Sequence, residues 1–198
     1  MTATRPTDGR NARRDRNRVA VLDAAIELFA EGDVHPSPQA VADRSGVSLR
    51  SVYRYYDDGD ALLRAAIARS FERNIVRFEI DGLGEGPLDE RIGRLVRRRA
   101  SLHRHLAPMA RAAVVRAVSS EQIRDQIAER RALLAAQEAA MFAPELDGLP
   151  ARERADLLLA IGLVVGFDAF ERLRAVEGCS AATAKRVTAR ALRALLAT

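Results

Sequence analysis

The chain has 198 residues, of which 48% are hydrophobic, so it can bury a core without disulfides or a structural metal. Its single cysteine, Cys179, excludes an intrachain disulfide and a multi-cysteine metal site, and it favours a reducing, cytoplasmic location. The net charge of +5 favours a polyanionic partner without identifying one.

The sequence predicts neither a signal peptide nor a membrane span. Residues 1–18 contain arginines but no apolar segment behind them. The longest apolar run covers residues 157–167, which as a helix is roughly 16 Å long, about half of the hydrocarbon core of a bilayer. A buried helix is therefore the better interpretation of this run.

The N-terminal part is predicted to be a short arm followed by a first helix. Residues 1–14 are basic and have no apolar periodicity, which predicts a flexible arm. From Val21 to Phe29 apolar residues recur at helical spacing, and Gly32 is expected to end this helix.

Two short helices follow. Ser37 and Pro38 are a cap residue and a first-turn proline, so a second helix is predicted from Gln39 until the turn at Gly46. Ser48 is expected to cap a third helix that ends near Tyr56.

The rest of the chain is also predicted to be helical. A fourth helix is expected from Asp60 to near Phe78, and the glycine-containing segment 81–87 reads as a linker, because it lacks the strand and lysine of a phosphate loop. Proline, glycine and serine positions then delimit further helices at about 88–105, 107–118, 120–142, 151–176 and 180–197. The predicted fold class is all-α, with about nine helices.

Residues 38–56 satisfy the stereochemistry of a helix-turn-helix. Ala42 is small where two helices cross, Gly46 permits the turn, and Val52 packs the second helix on the first. For these three positions alone, an ordinary helical hairpin is an equally good interpretation. Arg50 and Arg54 are predicted to project away from the hairpin core.

The wider segment from Arg18 to Leu63 resembles the N-terminal domain of the TetR family of transcription regulators. The resemblance rests on Ala24-Ala25-x-x-Leu28-Phe29, Val41-Ala42, Gly46-Val47-Ser48, Val52-Tyr53-x-x-Tyr56 and Asp60-Ala61-Leu62-Leu63. It implies that the third helix enters the major groove of double-stranded DNA. The implied DNA-binding residues are Ser37, Ser48, Leu49, Arg50, Ser51, Tyr53, Arg54 and Tyr55.

Two positions depart from the family pattern. Arg50 stands where the family often has glycine, so its side chain must enter the groove or be displaced. Gly59 stands where the family usually has a lysine that reaches a phosphate. The basic arm of residues 1–14 is expected to supply the missing phosphate contact, since any nearby cation can do so.

The resemblance also implies a helical effector-binding and dimerisation domain. The predicted domains are the arm (1–14), the helix-turn-helix domain (15–60) and the effector and dimerisation domain (61–198). Candidate walls of the ligand pocket, for which plain core packing is the alternative, are Phe71, Phe78, His103, Leu106, Met109, Met141, Phe142 and Phe167. The candidate dimer interface comprises Leu158, Gly162, Val165, Gly166, Val187, Ala191, Leu192 and Leu195.

The predicted function is sequence-specific DNA binding by a cytoplasmic homodimer, a repressor released from a palindromic operator by an unidentified small molecule. No cofactor, metal, membrane partner or catalytic residue is expected; His103 and His105 fall on opposite faces of a helix and cannot share a metal. The alternatives are a non-specific basic DNA-binding protein and an all-helical enzyme.

Overall fold

The computed structural model describes the backbone of residues 7–197 and the side chains of residues 11–197, and this part of the chain is all-α. The helices, in chain order, are α1 (Thr7–Ala30), α2 (Pro38–Ser45), α3 (Leu49–Tyr55), α4 (Gly59–Arg73), α5 (Leu88–Ala117), α6 (Glu121–Met141), α7 (Ala143–Leu146), α8 (Ala151–Val165), α9 (Phe167–Glu171) and α10 (Ala181–Leu196). A 3₁₀ turn covers Ile75–Arg77, and a π-helical turn covers Arg172–Val176. No helix in the described part is long and apolar enough to cross a membrane.

The described chain divides into two compact units. Within the described residues, unit 1 comprises residues 7–73 and Pro108–Arg124, and unit 2 comprises Asn74–Ala107 and residues 125–197. The first unit thus extends beyond the predicted boundary at residue 60. Helix α4 packs on α1, and Arg69 of α4 binds Asp23 of α1 through two hydrogen bonds of 2.6 and 2.9 Å.

Helix α1 begins earlier than the sequence pattern predicts. Residues 7–14 belong to this helix rather than to an arm, and residues 1–6 of the predicted arm lie outside the described residues. The apolar segment from Val21 onward nucleates the helix, and each further residue then adds a hydrogen bond at little entropic cost. Hydrophobic periodicity does not indicate where this helix begins, because its first turns are solvated and need no apolar face.

Helix α5 is continuous where two helices were predicted. Pro108 lies inside it and removes one backbone donor, at a cost of about 3 kcal/mol. Leu102, Ala107, Met109 and Ala112 are all buried, so apolar burial on both sides of the proline offsets this cost. The border between the two units nevertheless falls at Pro108.

The predicted helix 151–176 is interrupted. Helix α8 ends at Val165, and Gly166 is extended before α9 begins. A Cβ at Gly166 would lie 2.7 Å from the carbonyl oxygen of Gly162, so only glycine fits this close backbone approach. Helix α10 agrees with its predicted range, whereas the short α7 was not predicted.

The core of each unit follows from its amphipathic helices. In unit 1, Val21, Ala25, Val41, Val52 and Ala66 are at most 2% exposed. In unit 2, most of the largest buried side chains form one apolar cluster that includes Ile92, Leu95, Met141, Phe142, Leu146, Ile161 and Leu192.

Candidate nucleic-acid interface

The helical hairpin of α2 and α3 is fixed at both of its ends. The hydroxyl of Ser37 accepts a hydrogen bond of 3.1 Å from the backbone N–H of Ala40, and Pro38 occupies the first turn of α2. Gly46 ends α2 in the left-handed conformation, with φ of +67°. Val41 and Val52 are buried where the helices pack, which orients α3 with one face toward the core.

The opposite face of α3 is exposed and basic. Arg50, Tyr53 and Arg54 are exposed, and 55% of the Tyr53 surface is accessible although tyrosine is a large amphipathic residue. Leu49, Ser51 and Tyr55 are partly buried beside them, and Ser48 is exposed at the start of the helix. The eight residues predicted to bind DNA therefore lie on one hairpin. Seven of them are on α3 or at its start, and Ser37 is at the start of α2.

Hydrogen bonds hold Arg54 of this face in place. Arg54 Nη2 donates to the hydroxyl of Ser51 at 3.1 Å and to that of Tyr55 at 3.4 Å. Its guanidinium carbon also lies 5.2 Å from the centre of the Tyr55 ring, which is a cation–π arrangement. Ser48 and Ser51 are joined by a hydroxyl hydrogen bond of 3.1 Å, so a chain of polar contacts runs along the helix.

Two ion pairs connect helices α2 and α4 to the α1 segment. Arg44 of α2 donates two parallel hydrogen bonds, of 2.9 and 2.8 Å, to the carboxylate of Glu31, and these bonds lower the pKa of Glu31. The hydrogen bond from Arg69 likewise lowers the pKa of Asp23. Both carboxylates stay charged at neutral pH, so the two ion pairs persist and connect α2 and α4 to the α1 segment.

The start of α4 carries a cation that sequence reasoning missed. Gly59 itself offers no side chain, but Arg116 Nη2 would lie 3.7 Å from a Cβ at that position. Arg116 Nε donates to Asp60 at 2.6 Å. No local sequence pattern indicates this contact, because 56 residues separate the two partners.

Neither cavity described in unit 2 is lined by more than one of the predicted pocket residues. His103 borders a small cavity of about 20 Å³ in unit 2, and Phe167 packs edge-on against the His103 ring at 5.9 Å. Met141 and Phe142 are fully buried members of the apolar cluster and line neither of these cavities, so their place in a pocket wall stays a prediction. Phe71 and Met109 belong to unit 1, whereas Phe78, which is buried, and Leu106 belong to unit 2.

Arg99, which borders the same small cavity, belongs to a buried ion pair that the sequence pattern did not indicate. Arg99 donates to Glu138 Oε1 through Nη2 at 3.1 Å, and both side chains are at most 5% exposed. Burial raises the pKa of Glu138 and lowers that of Arg99, because both charged forms lose solvation, while their mutual attraction opposes the two shifts.

The predicted dimer residues divide between two faces of α8 and α10. Val165 and Leu192 are at most 3% exposed and belong to the apolar cluster of their own unit, so they present no surface to a second chain. Leu158, Gly162, Gly166, Ala191 and Leu195 are partly buried, and Val187 is 42% exposed. Sequence reasoning missed the two most exposed leucines of α8, which are Leu159 at 69% and Leu163 at 77%.

Comparison with known proteins identifies the N-terminal segment. Residues 21–66 match the sequence model of bacterial regulatory proteins of the tetR family. This segment is a tetR-family domain. The match contains both helices of the hairpin, residues 21–30 of α1 and residues 59–66 of α4.

The tetR-family match extends to characterised regulators over part of the chain. The HTH-type transcriptional repressor KstR of Rhodococcus jostii is 37% identical over 78 residues, which are 39% of this chain and 34% of that repressor. KstR of Mycolicibacterium smegmatis is 32% identical over 89 residues, which are 44% and 43% of the two chains. The chain thus matches less than half the length of these relatives.

Solved tetR-family structures share the fold over nearly the whole chain. A regulator from Streptomyces coelicolor superposes with a TM-score of 0.75 at 19% identity, over 92% of this chain and 81% of that one. A regulator from a Rhodococcus species gives 0.70 at 18% identity, over 91% and 98%. At such identities the likeness concerns the fold alone.

Proposed function

We propose that this chain is a sequence-specific repressor that binds a palindromic DNA operator as a homodimer and is released by a small-molecule effector. The observation that carries the proposal is the exposed face of α3, where Arg54 is held by Ser51 and Tyr55 within a tetR-family domain. The protein would act by binding rather than by catalysis, in the cytoplasm.

Each polar group on α3 has a suitable role at DNA. Arg50 and Arg54 can each donate two hydrogen bonds to guanine in the major groove, which discriminates against a wrong base by about 1 to 3 kcal/mol. Tyr53 and Tyr55 would bind backbone phosphates and fix the register of the helix. The hydrogen bonds of Arg54 restrict its rotamers before DNA binds, so less entropy is lost on binding.

The dimer is supported by the apolar surface of unit 2. Leu159 and Leu163 are four residues apart on α8, hence on one helical face, and α8 packs beside α10, where Val187 is exposed. A two-fold interface over this surface would present two α3 helices to half-sites about 34 Å apart. Effector binding in unit 2 that is coupled to DNA binding by about 1 to 3 kcal/mol would weaken operator affinity about 5- to 150-fold.

The test is selection of bound sequences from a random duplex pool at about 150 mM salt, where non-specific phosphate binding is suppressed. We expect a palindromic consensus for the wild type. Arg50→Ala and Arg54→Ala should each relax the consensus at different base positions and weaken operator binding about tenfold or more.

Arg104→Ala is the matched control, because Arg104 is an exposed arginine of α5 outside the tetR-family match. It should leave the consensus unchanged. Failure to enrich any sequence, or a consensus indifferent to both α3 arginines, would favour the non-specific DNA-binding protein.

A further inference from the structure

An open cleft of about 380 Å³ lies on unit 2, apart from the small cavity at His103. It is lined by Ile80, Asp81, Arg94, Arg97, Arg98 and Ser101. Its volume falls in the range of about 300 to 1,000 Å³ that small-molecule sites occupy. Three of its six lining residues are arginines, and Asp81 is its one acid.

The arginines of α5 differ in what they do for the fold. Arg91 binds the carboxylate of Glu145 with two hydrogen bonds, and Arg99 is paired with Glu138. Arg94 donates through Nη2 to the carbonyl oxygens of Gly82 and Glu85, which closes the loop before α5. All three guanidinium groups are therefore bound to other parts of the protein, although the buried Nε of Arg94 has no hydrogen-bond partner.

Arg97 and Arg98 have no such role. In the described part of the chain neither forms an ion pair or a side-chain hydrogen bond, and no ion pair joins either of them to Asp81. The absence of a side chain at Gly93 leaves room for Arg97, whose Nη1 would lie 3.1 Å from a Cβ there. Two unpaired cations therefore face one cleft, next to the hydroxyl of Ser101 and the apolar side chain of Ile80.

We propose that this cleft binds a small organic oxyanion, a carboxylate or a phosphate ester that carries an apolar portion. Arg97 and Arg98 would donate charge-assisted hydrogen bonds to its oxygens, Ser101 would add a hydroxyl donor, and Ile80 would contact the apolar portion. Asp81 would disfavour ligands with a second anionic group on its side of the cleft. The proposal concerns unit 2 alone and does not depend on DNA binding.

The test is titration calorimetry of the full chain with four probes: octanoate, octyl phosphate, inorganic phosphate and 1-octanol. We expect octanoate or octyl phosphate to bind at one site per chain, more tightly than inorganic phosphate and 1-octanol. Arg97→Gln and Arg98→Gln should each weaken this binding about tenfold, since a hydrogen bond to a charged group is lost. Preference between octanoate and octyl phosphate distinguishes the two head groups.

Arg190→Gln is the matched control, because Arg190 is an exposed arginine on α10 and does not line the cleft. Equal weakening by Arg190→Gln, equally tight 1-octanol binding, or no saturable binding would overturn the proposal. If inorganic phosphate binds as tightly as octyl phosphate, the proposal that the ligand carries an apolar portion is overturned. Loss of operator affinity in Arg97→Gln and Arg98→Gln, with no effect on the probes, would assign the two arginines to DNA instead.

Discussion

His103 is a buried base within an apolar and aromatic environment. Its Nε2–H donates to the carbonyl oxygen of Val165 at 2.8 Å, and its ring packs against Phe167 and Phe170. Burial, the largest cause, and the nearby Arg99 together lower the pKa of His103 to about 4, although the hydrogen bond to Val165 opposes this shift. The imidazole is therefore neutral in the folded protein at physiological pH.

This neutral histidine makes stability dependent on pH. In the unfolded chain the side chain takes up a proton below about pH 6.5, whereas in the folded chain it does so only below about 4. The contribution of His103 to the free energy of unfolding is thus fully present above about pH 6.5. It declines toward pH 4, by up to about 3 kcal/mol. His103→Gln, which keeps a donor for Val165, should abolish this contribution.

The measurement is urea unfolding of wild type and His103→Gln at pH 7, 5.5 and 4.5. The stability difference between them should move in favour of the variant as the pH falls. His105→Gln serves as the control, because it also replaces one histidine by glutamine on the same helix, but at an exposed position. The same pH dependence in both variants would contradict the assignment to His103.

The turn between α2 and α3 depends on the backbone of Gly46 rather than on space. A Cβ at Gly46 meets nothing within 4 Å, yet its φ of +67° is unfavourable for other residues. Gly46→Ala should therefore lower the free energy of unfolding by about 1 to 2 kcal/mol through backbone strain alone. Urea unfolding at pH 7 measures this change.

Gly9→Ala is the matched substitution for this prediction. Gly9 also has open space around it, but it lies within α1 with ordinary helical backbone. Alanine there should stabilise the protein, by up to about 1 kcal/mol. Changes of the same sign in both variants would show that φ at Gly46 is not the cause.

At the scale of elements, the sequence predicts best where one local rule acts. The cap at Ser37, the turn at Gly46 and the range of α10 follow from local backbone chemistry, and the all-α class follows from periodicity. The break at Pro108 was wrong because burial on both sides of the proline outweighs its local cost. The break at Gly166 depends on contact with the Gly162 carbonyl, which periodicity does not reveal.

At the scale of the whole molecule, periodicity locates an apolar helix but not which of its faces is buried. Residues 157–167 were predicted to be a buried helix. The structure divides this run between the chain's own core, through Ile161 and Val165, and solvent, through Leu159 and Leu163. The exposed α3 face was predictable from motif spacing, whereas the ion pair of Arg99 and Glu138 joins residues 39 apart and had no local signal.

Leu159 and Leu163 are the side chains on which the proposed dimer makes its clearest prediction. Each would bury its exposed surface against the second chain, and a fully buried leucine contributes about 1.5 to 3 kcal/mol. Because two-fold symmetry uses each leucine twice, Leu159→Glu with Leu163→Glu should convert the dimer to a single chain of 21.7 kDa. Light scattering after size exclusion measures the mass.

Leu133→Glu is the matched control, since Leu133 is 51% exposed on α6 of the same unit and lies on a different helix from the proposed interface. It should remain a dimer. The double variant should also lose most of its operator affinity, because a single chain reaches one half-site only, while its α3 face and unit 1 are unaltered. If the double variant keeps twice the chain mass, the interface lies elsewhere. If it is monomeric yet binds the full operator as tightly as the wild type does, binding to two half-sites is refuted.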